Sequence, residues 1–246
     1  MIEAVMFDFS GTLFHIESVA EWFDDLGLDL SADERAACIR RLTDGGALPG
    51  GPPPLRAPAG WSERDTTAER HRSAYTAQTL AALLPAVGPD RADPLAAELY
   101  ERHKSPGAWR SPYPDAEPVL AELRRRGVPV AVVSNIGWDL RPVFVHGGLD
   151  RYVDAYVLSY ELEVQKPDPR IFRTACDLLG SAPERTLMVG DDLPADGGAT
   201  ALGCAFHHVR SLPVAERPDG LLPVLDLVQT DRRPGDRMEG VPATGG

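Results

Sequence analysis

Directly behind the apolar run Ala4-Val5-Met6 stands the stretch Phe7-Asp8-Phe9-Ser10-Gly11-Thr12-Leu13-Phe14. A short apolar run closed by a glycine turn has the length and composition of a buried strand. Asp8 is then a lone carboxylate where that strand runs out, and open α/β sheets place ligands and chemistry at the carboxyl ends of their strands. Asp8 is therefore the first candidate nucleophile, although a strand followed by a capped turn would carry the same residue types.

Three further segments follow in order. Val130-Ala131-Val132-Val133-Ser134-Asn135 is a second apolar run, ending in a hydroxyl, and Lys166-Pro167-Asp168-Pro169 precedes a helical pattern. Leu187-Met188-Val189-Gly190-Asp191-Asp192 is a third run, ending in carboxylates, with Asp196 beyond it. The ordered set resembles the phosphatase-type branch of the haloacid dehalogenase-like (HAD) hydrolase superfamily, over residues from about Ile2 to Arg210.

The chain between the first two motifs is helical by pattern. Glu17 to Gly27 carries Val19, Trp22, Phe23 and Leu26 at helical spacing, Ser31 can cap a helix through Leu42, and further helical patterns run from Ser62 towards Leu84 and from Asp90 to Arg102. Asp44 to Gly60 holds five prolines and five glycines, too many for regular structure, and reads as a mobile loop. Pro114 opens a helix to Arg126, after which strands alternate with helices to about Val209, the pattern of a parallel sheet covered on both faces. The resemblance implies a Rossmann-like, doubly wound α/β core (residues 1–14 and 111–228) with an inserted all-helical cap (residues 15–110) over the active site. The tail, 229–246, is rich in Arg, Asp, Gly and Pro and reads as disordered.

Composition removes several function classes. With 25 Lys and Arg against 37 Asp and Glu, the formal net charge of -12 disfavours nucleic acid and anionic membranes as partners, and a small anionic substrate would need a locally positive pocket. Cys38, Cys176 and Cys204 are odd in number and lack CxxC spacing, which fits buried thiols rather than a disulfide framework or zinc site. Asp8 interrupts the only signal-peptide candidate and no 18-residue apolar run exists, so the expectation is a soluble, cytoplasmic protein. Gly-x-Gly-x-x-Gly, P-loop and Gly-x-Ser-x-Gly motifs are absent, leaving nucleotide-binding and serine-hydrolase readings without support. No sequence feature sets an oligomeric state.

In the family resembled, the first aspartate forms a covalent aspartyl-phosphate, and Asp8 matches it. The resemblance implies Asp8 and Asp191 as Mg2+ ligands, with the backbone carbonyl of Ser10 as a third; magnesium favours oxygen donors and keeps several waters, so this is enough protein for it. Ser134 and Lys166 match the phosphate-binding hydroxyl and the cation that neutralises the transferring group. Asp8 facing a phosphate requires such a cation, and Lys104 and Lys166 are the only lysines in the chain. Thr12 and the backbone N–H of Asn135 are expected to bond phosphate, and Gly11 to supply a tight turn. For Asp192, orienting a water and capping the helix near Pro194 weigh equally, and Asp196 shares the first of these roles. The implied activity is Mg-dependent hydrolysis of a small phosphorylated metabolite.

One position departs from the pattern. Most phosphatases of the family carry a second aspartate two residues after the nucleophile, to protonate the leaving oxygen, and this chain has Ser10. Serine carries protons poorly near neutral pH, where positioned acid–base catalysis is worth about 10²–10⁴-fold. Three consequences compete: a preference for good leaving groups such as acyl or aryl phosphates; an acid from elsewhere, with His15, Glu17 or a cap residue as candidates; or a degenerate binding protein. Asp8, Ser134, Lys166 and Asp191 together favour the first two. C–P hydrolases of the family need a cap lysine, and none lies between His15 and Arg102. Dehalogenases carry an aromatic residue at the Ser10 position and need no metal, whereas Gly190-Asp191-Asp192 suits one, so dehalogenation stands as a minor alternative.

Other residues read more simply. His207 and His208 alternate along a strand, one buried and one exposed. Trp22, Trp61 and Trp109 read as packing groups before pocket walls. Arg35, Arg40 and Arg41 read as a solvated helix face.

Overall fold

The computed structural model describes residues 1–15, 29–44, 60–109 and 112–228. The expected helix over 17–27, the loop over 45–59 and the tail over 229–246 lie outside these residues, as do Glu17, Trp22 and the side chain of Trp61.

Five parallel strands form one sheet: β1 (Ala4–Phe7), β2 (Val130–Ser134), β3 (Ala155–Leu158), β4 (Thr186–Gly190) and β5 (Ala205–His208), in the order β3-β2-β1-β4-β5. The described helices are α1 (Ala32–Asp44), α2 (Ala68–Val87), α3 (Pro89–His103), α4 (Ala116–Arg125), α5 (Arg141–His146), α6 (Ser159–Leu162), α7 (Pro169–Leu179), α8 (Leu193–Asp196) and α9 (Val224–Leu227). The four residues of β1 are wholly buried, because the strand lies at the centre of the sheet with helices on both faces. Period-two alternation divides the strand residues between two cores. Val5, Phe7, Val130, Val132, Leu187 and Val189 pack against α4, α5 and α9, while Met6, Ala131, Val133 and Met188 pack against α7. The chain winds outward from β1 through β2 to β3, then returns to β4 on the other side. The strand order therefore reverses between β1 and β4, where open α/β sheets form their ligand crevice.

The edge strand corrects one expectation: neither histidine of β5 is buried. His207 is half-buried and His208 exposed, because β5 has a neighbour on one side only and its inner face is incompletely covered.

Helices α1 to α3 carry a separate apolar cluster of Cys38, Leu42, Tyr75, Leu83, Leu99 and Tyr100. Local sequence sets their starts. Ser31 and Glu34 form a reciprocal capping box, the Ser31 N–H donating to Glu34 Oε2 at 2.8 Å, and Thr67 Oγ1 accepts from the Arg70 N–H at 3.1 Å. This helical segment meets the sheet's carboxyl edge through aromatic side chains. Phe9 packs on Trp109 with ring centroids 4.4 Å apart, and the Trp138 indole donates to His103 Nε2 at 3.2 Å. Trp109 is thus a packing group, and its own N–H donates to the His103 carbonyl at 2.9 Å. Burial holds His71 down to about 4 and His103 well below the ordinary histidine value, so both imidazoles stay uncharged near neutral pH. Gly137 is required here, since a Cβ would overlap the His71 side chain. The peptide of Asp65 completes the joint. Its N–H donates to Gln165 Oε1 at 2.9 Å, and its carbonyl accepts from Ser159 Oγ at 2.6 Å.

Candidate active site

The carboxyl ends of β1, β2 and β4 bring the motif residues together. The Asp8 N–H donates to the Val189 carbonyl at 2.9 Å, extending the ladder one residue past β1 and fixing where the carboxylate emerges. Gly11 then turns the chain with φ +79°. A Cβ at Gly11 would overlap the Asp191 carboxylate and lie 2.8 Å from Ser211 Oγ, so two segments approach where only glycine leaves room.

Lys166 is the centre of the cluster. Its Nζ donates to Asp8 Oδ1 at 2.6 Å, to Asp196 Oδ1 at 2.6 Å and to the Val133 carbonyl at 3.0 Å, which uses its three protons. The lysine is 3 % exposed and Asp196 wholly buried. The backbone around it is fixed by Asn135, whose side chain accepts from the Lys166 N–H at 2.7 Å and donates to the Lys166 carbonyl at 3.0 Å. The Lys166–Pro167 peptide is cis, and Asp168 caps α7 through the Arg170 N–H at 2.9 Å.

Thr12 lies beneath the cluster, fully buried, with its hydroxyl donating to Asp191 Oδ1 at 3.3 Å. Ser134 is buried at the end of β2. The Ser10 hydroxyl is buried without a hydrogen-bond partner. His15 is further along the same turn, its ring 5.6 Å from that of Tyr113.

Two aspartates resolve differently. Asp192 is the cap of α8, its Oδ1 accepting from the Ala195 N–H at 3.0 Å, which favours the capping reading. Asp196 belongs to the site. Its Oδ1 faces Lys166 and its Oδ2 accepts from the Asp192 N–H at 3.0 Å. Gly190 permits this approach, because a Cβ there would overlap the Asp196 side chain. Asp192→Ala should therefore lower stability by about 1 kcal/mol, as loss of a helix cap does, and leave turnover unchanged. Thermal unfolding and steady-state rates on one preparation check both.

Electrostatically the cluster carries surplus negative charge. Asp8, Asp191 and Asp196 bring ligand oxygens within 4.8 Å of one another, and with all three carboxylates ionised against the one ammonium of Lys166 the net charge is -2. Burial pushes Asp8 up to about 6, with Lys166 opposing and Asp191 reinforcing the rise. Burial, then Asp196, pushes Asp191 up to about 6, and burial pushes Asp196 up to about 7 against the pull of Lys166. Burial works against the charge of Lys166, but Asp196 and Asp8 outweigh it and hold the lysine above its ordinary value. An all-oxygen donor set with a surplus of two negative charges suits a hard divalent cation. Both oxygens of Asp196 are engaged by protein donors, so Asp8 and Asp191 have the free carboxylate capacity.

Known proteins resemble this chain in sequence and fold. The family model for haloacid dehalogenase-like hydrolases matches residues 2–201. A phosphoserine phosphatase of Thermus thermophilus is 38% identical over 153 residues, covering 61% of this chain and 57% of the relative's length. A glyceraldehyde 3-phosphate phosphatase of Methanopyrus kandleri is 29% identical over 213 residues, covering 85% of this chain and 84% of that one. Among solved structures, an L-2-haloacid dehalogenase from Xanthobacter autotrophicus superposes with a TM-score of 0.61 at 25% identity, covering 94% of this chain and 85% of that one. With four motifs on one crevice of a matching fold, and the family model spanning most of its length, the chain belongs to the haloacid dehalogenase-like hydrolases.

Proposed function

We propose that the protein is a Mg-dependent phosphatase acting on a small phosphorylated metabolite through an aspartyl-phosphate at Asp8. The observation that carries this reading is the buried cluster of Asp8, Asp191 and Asp196 around Lys166, with its surplus of two negative charges. Relatives named as phosphatases support it from outside.

Asp8, Asp191 and the Ser10 carbonyl would hold the magnesium ion, which when bound offsets charge on the nucleophile and the transferring group. The residues of the chain supply the remaining chemistry. A carboxylate oxygen of Asp8 attacks phosphorus, the bond to the leaving oxygen breaks, and that oxygen takes a proton from solvent water where it needs one. Ser134 and the backbone N–H of Asn135 receive the anionic oxygens and the Lys166 ammonium offsets their charge, where preformed donors act most strongly in a site closed to water. A water then attacks phosphorus, its proton is released, and Asp8 is freed as the carboxylate. Asp196 positions Lys166, and Thr12 orients Asp191. In this reading residues 1–14 and 111–228 are the catalytic core and residues 15–110 the cap that selects the leaving group. The small phosphorylated partner is suggested by the phosphatase relatives, and the net charge of -12 argues against nucleic-acid and anionic-membrane partners; among the described residues no helix is long and apolar enough to cross a membrane.

Ser10 defines the substrate preference. With no carboxyl two residues after the nucleophile, esters with good leaving groups react best, since they need protonation least. Ser10→Asp should raise turnover of alkyl phosphates about 10²-fold and turnover of acetyl phosphate little. An unchanged ratio between the two substrates would remove leaving-group protonation as the missing element.

Dehalogenation is the second reading, favoured by the likeness to the Xanthobacter enzyme. Chloride release from 2-chloropropionate with metal chelated would select it. Phosphate release that requires magnesium selects the first.

A further inference from the structure

The Gly11–Thr12 turn is held from behind by a residue 206 positions away in sequence. The Arg217 guanidinium is buried, donating to the Gly11 carbonyl at 2.6 Å and to the Thr12 carbonyl at 2.6 Å. A third bond, to the Arg210 carbonyl, is longer at 3.3 Å. The guanidinium carbon lies 3.6 Å from the centre of the Tyr113 ring, a stacked cation–π contact.

The surroundings are shaped to hold this side chain in place. Tyr113 donates through its hydroxyl to the Leu212 carbonyl at 2.7 Å, and its backbone N–H donates to the Leu13 carbonyl at 2.9 Å, so the stacking ring is tied to both segments that Arg217 joins. Asp115 accepts from the Leu221 N–H at 2.5 Å, anchoring the far end of the same segment. At Gly220 an added Cβ would lie 2.5 Å from Arg217 Nε and 2.8 Å from its Cγ, so the side chain runs across a backbone that only glycine leaves open. Arg217 also lies beyond the family match, which ends at residue 201.

Charge-assisted bonds to carbonyls are among the stronger neutral-to-ion contacts a protein makes, and here two converge on consecutive peptides of one turn. That turn follows directly on Asp8 and carries Ser10 and Thr12. We infer that Arg217 is a positioning residue: its guanidinium sets the Gly11 and Thr12 peptides, and through them the aim of the Asp8 carboxylate and the Thr12–Asp191 contact. The inference rests on the phosphatase reading for its effect on rate, and on geometry alone for its effect on the turn. A planar fork that spans two carbonyls while stacked on a ring is a task an ammonium performs poorly.

The test uses Arg217→Ala, Arg217→Lys and Gly220→Ala, the last shifting the guanidinium without removing it. Amide exchange over residues 9–14 and steady-state kinetics with acetyl phosphate are measured well below each variant's unfolding temperature. In Arg217→Ala the amides should exchange faster and kcat should fall about 10²-fold, the scale of a small misplacement at a reacting centre, with KM changed far less. Low-millimolar guanidinium should restore part of kcat in Arg217→Ala and none in Arg217→Lys, and Gly220→Ala should shift both readouts in the same direction, less strongly. A folded Arg217→Ala protein with wild-type exchange and wild-type kcat would overturn the inference. So would a loss of rate that follows only the unfolded fraction and ignores guanidinium. If the wild type releases no phosphate from any substrate, the phosphatase reading fails, and exchange alone decides: faster in Arg217→Ala supports the positioning role, unchanged removes it.

Discussion

Asp8→Asn is expected to lower magnesium-dependent phosphate release from acetyl phosphate and p-nitrophenyl phosphate by about 10⁴-fold or more, while the protein stays folded. The size follows from the kind of loss. An amide cannot form the acyl phosphate, and removing the nucleophile of a covalent mechanism commonly removes nearly all of the catalysis that depends on it. Folding survives because Lys166 keeps Asp196 at 2.6 Å and the Val133 carbonyl at 3.0 Å when Asp8 loses its charge. Circular dichroism and thermal unfolding, set beside the rates, separate a dead site from a lost fold. Substantial residual turnover in the variant would remove Asp8 from the role of nucleophile.

Lys166→Met should do two things at once. It removes the only ammonium among Asp8, Asp191 and Asp196, so turnover should fall about 10³-fold, the scale for a donor that stabilises developing charge. It also leaves buried carboxylates facing one another without their partner, which costs about 3–5 kcal/mol of stability. The pH dependence has a definite sign. Buried carboxylates raised above their unfolded values, to about 6 for Asp8 and Asp191 and about 7 for Asp196, keep protons that the unfolded chain has already released. Such groups favour the folded state increasingly as pH falls from about 7 towards the unfolded value near 4. Without Lys166 that effect grows, so the stability gap between wild type and Lys166→Met should narrow as pH is lowered from 7 to 5, measured in chelator by denaturant unfolding. Adding Asp196→Asn to Lys166→Met should recover stability and leave turnover absent. A gap that widens on acidification would contradict the electrostatic account of the cluster.

The sheet was legible because its central strands are short, wholly apolar and closed by distinctive residues. Ala4–Phe7 before Asp8, Val130–Val133 before Ser134 and Leu187–Val189 before Gly190 each carry the pattern of a strand buried on both faces. The edge strand β5 was misread because alternation predicts which side a residue faces and cannot say whether anything covers that side. Of the site, the strand-end residues stood out, since chain direction alone brings them to one crevice. The contacts that organise them did not. Asp196 meets Lys166 across 30 residues, the Asn135 side chain meets the Lys166 backbone across 31, and Arg217 meets Gly11 across 206. Those distances are closed by strand order and loop packing, and no local periodicity encodes them. For Asp196 the spacing from Asp191 and Asp192 pointed to the site through a water-orienting role and not to its contact with Lys166, while Asp192 carried two roles equally well; for Arg217 the sequence held no signal.

The most direct measurement of the central claim is acid-quench trapping of the enzyme during turnover of acetyl phosphate with magnesium, followed by peptide mass spectrometry. The account predicts the mass of one phosphoryl group on the peptide that carries Asp8, labile to hydroxylamine, present in the wild type and absent in Asp8→Asn. Turnover of the same substrate with no phosphoryl group on Asp8, or with the group on another residue, would contradict it.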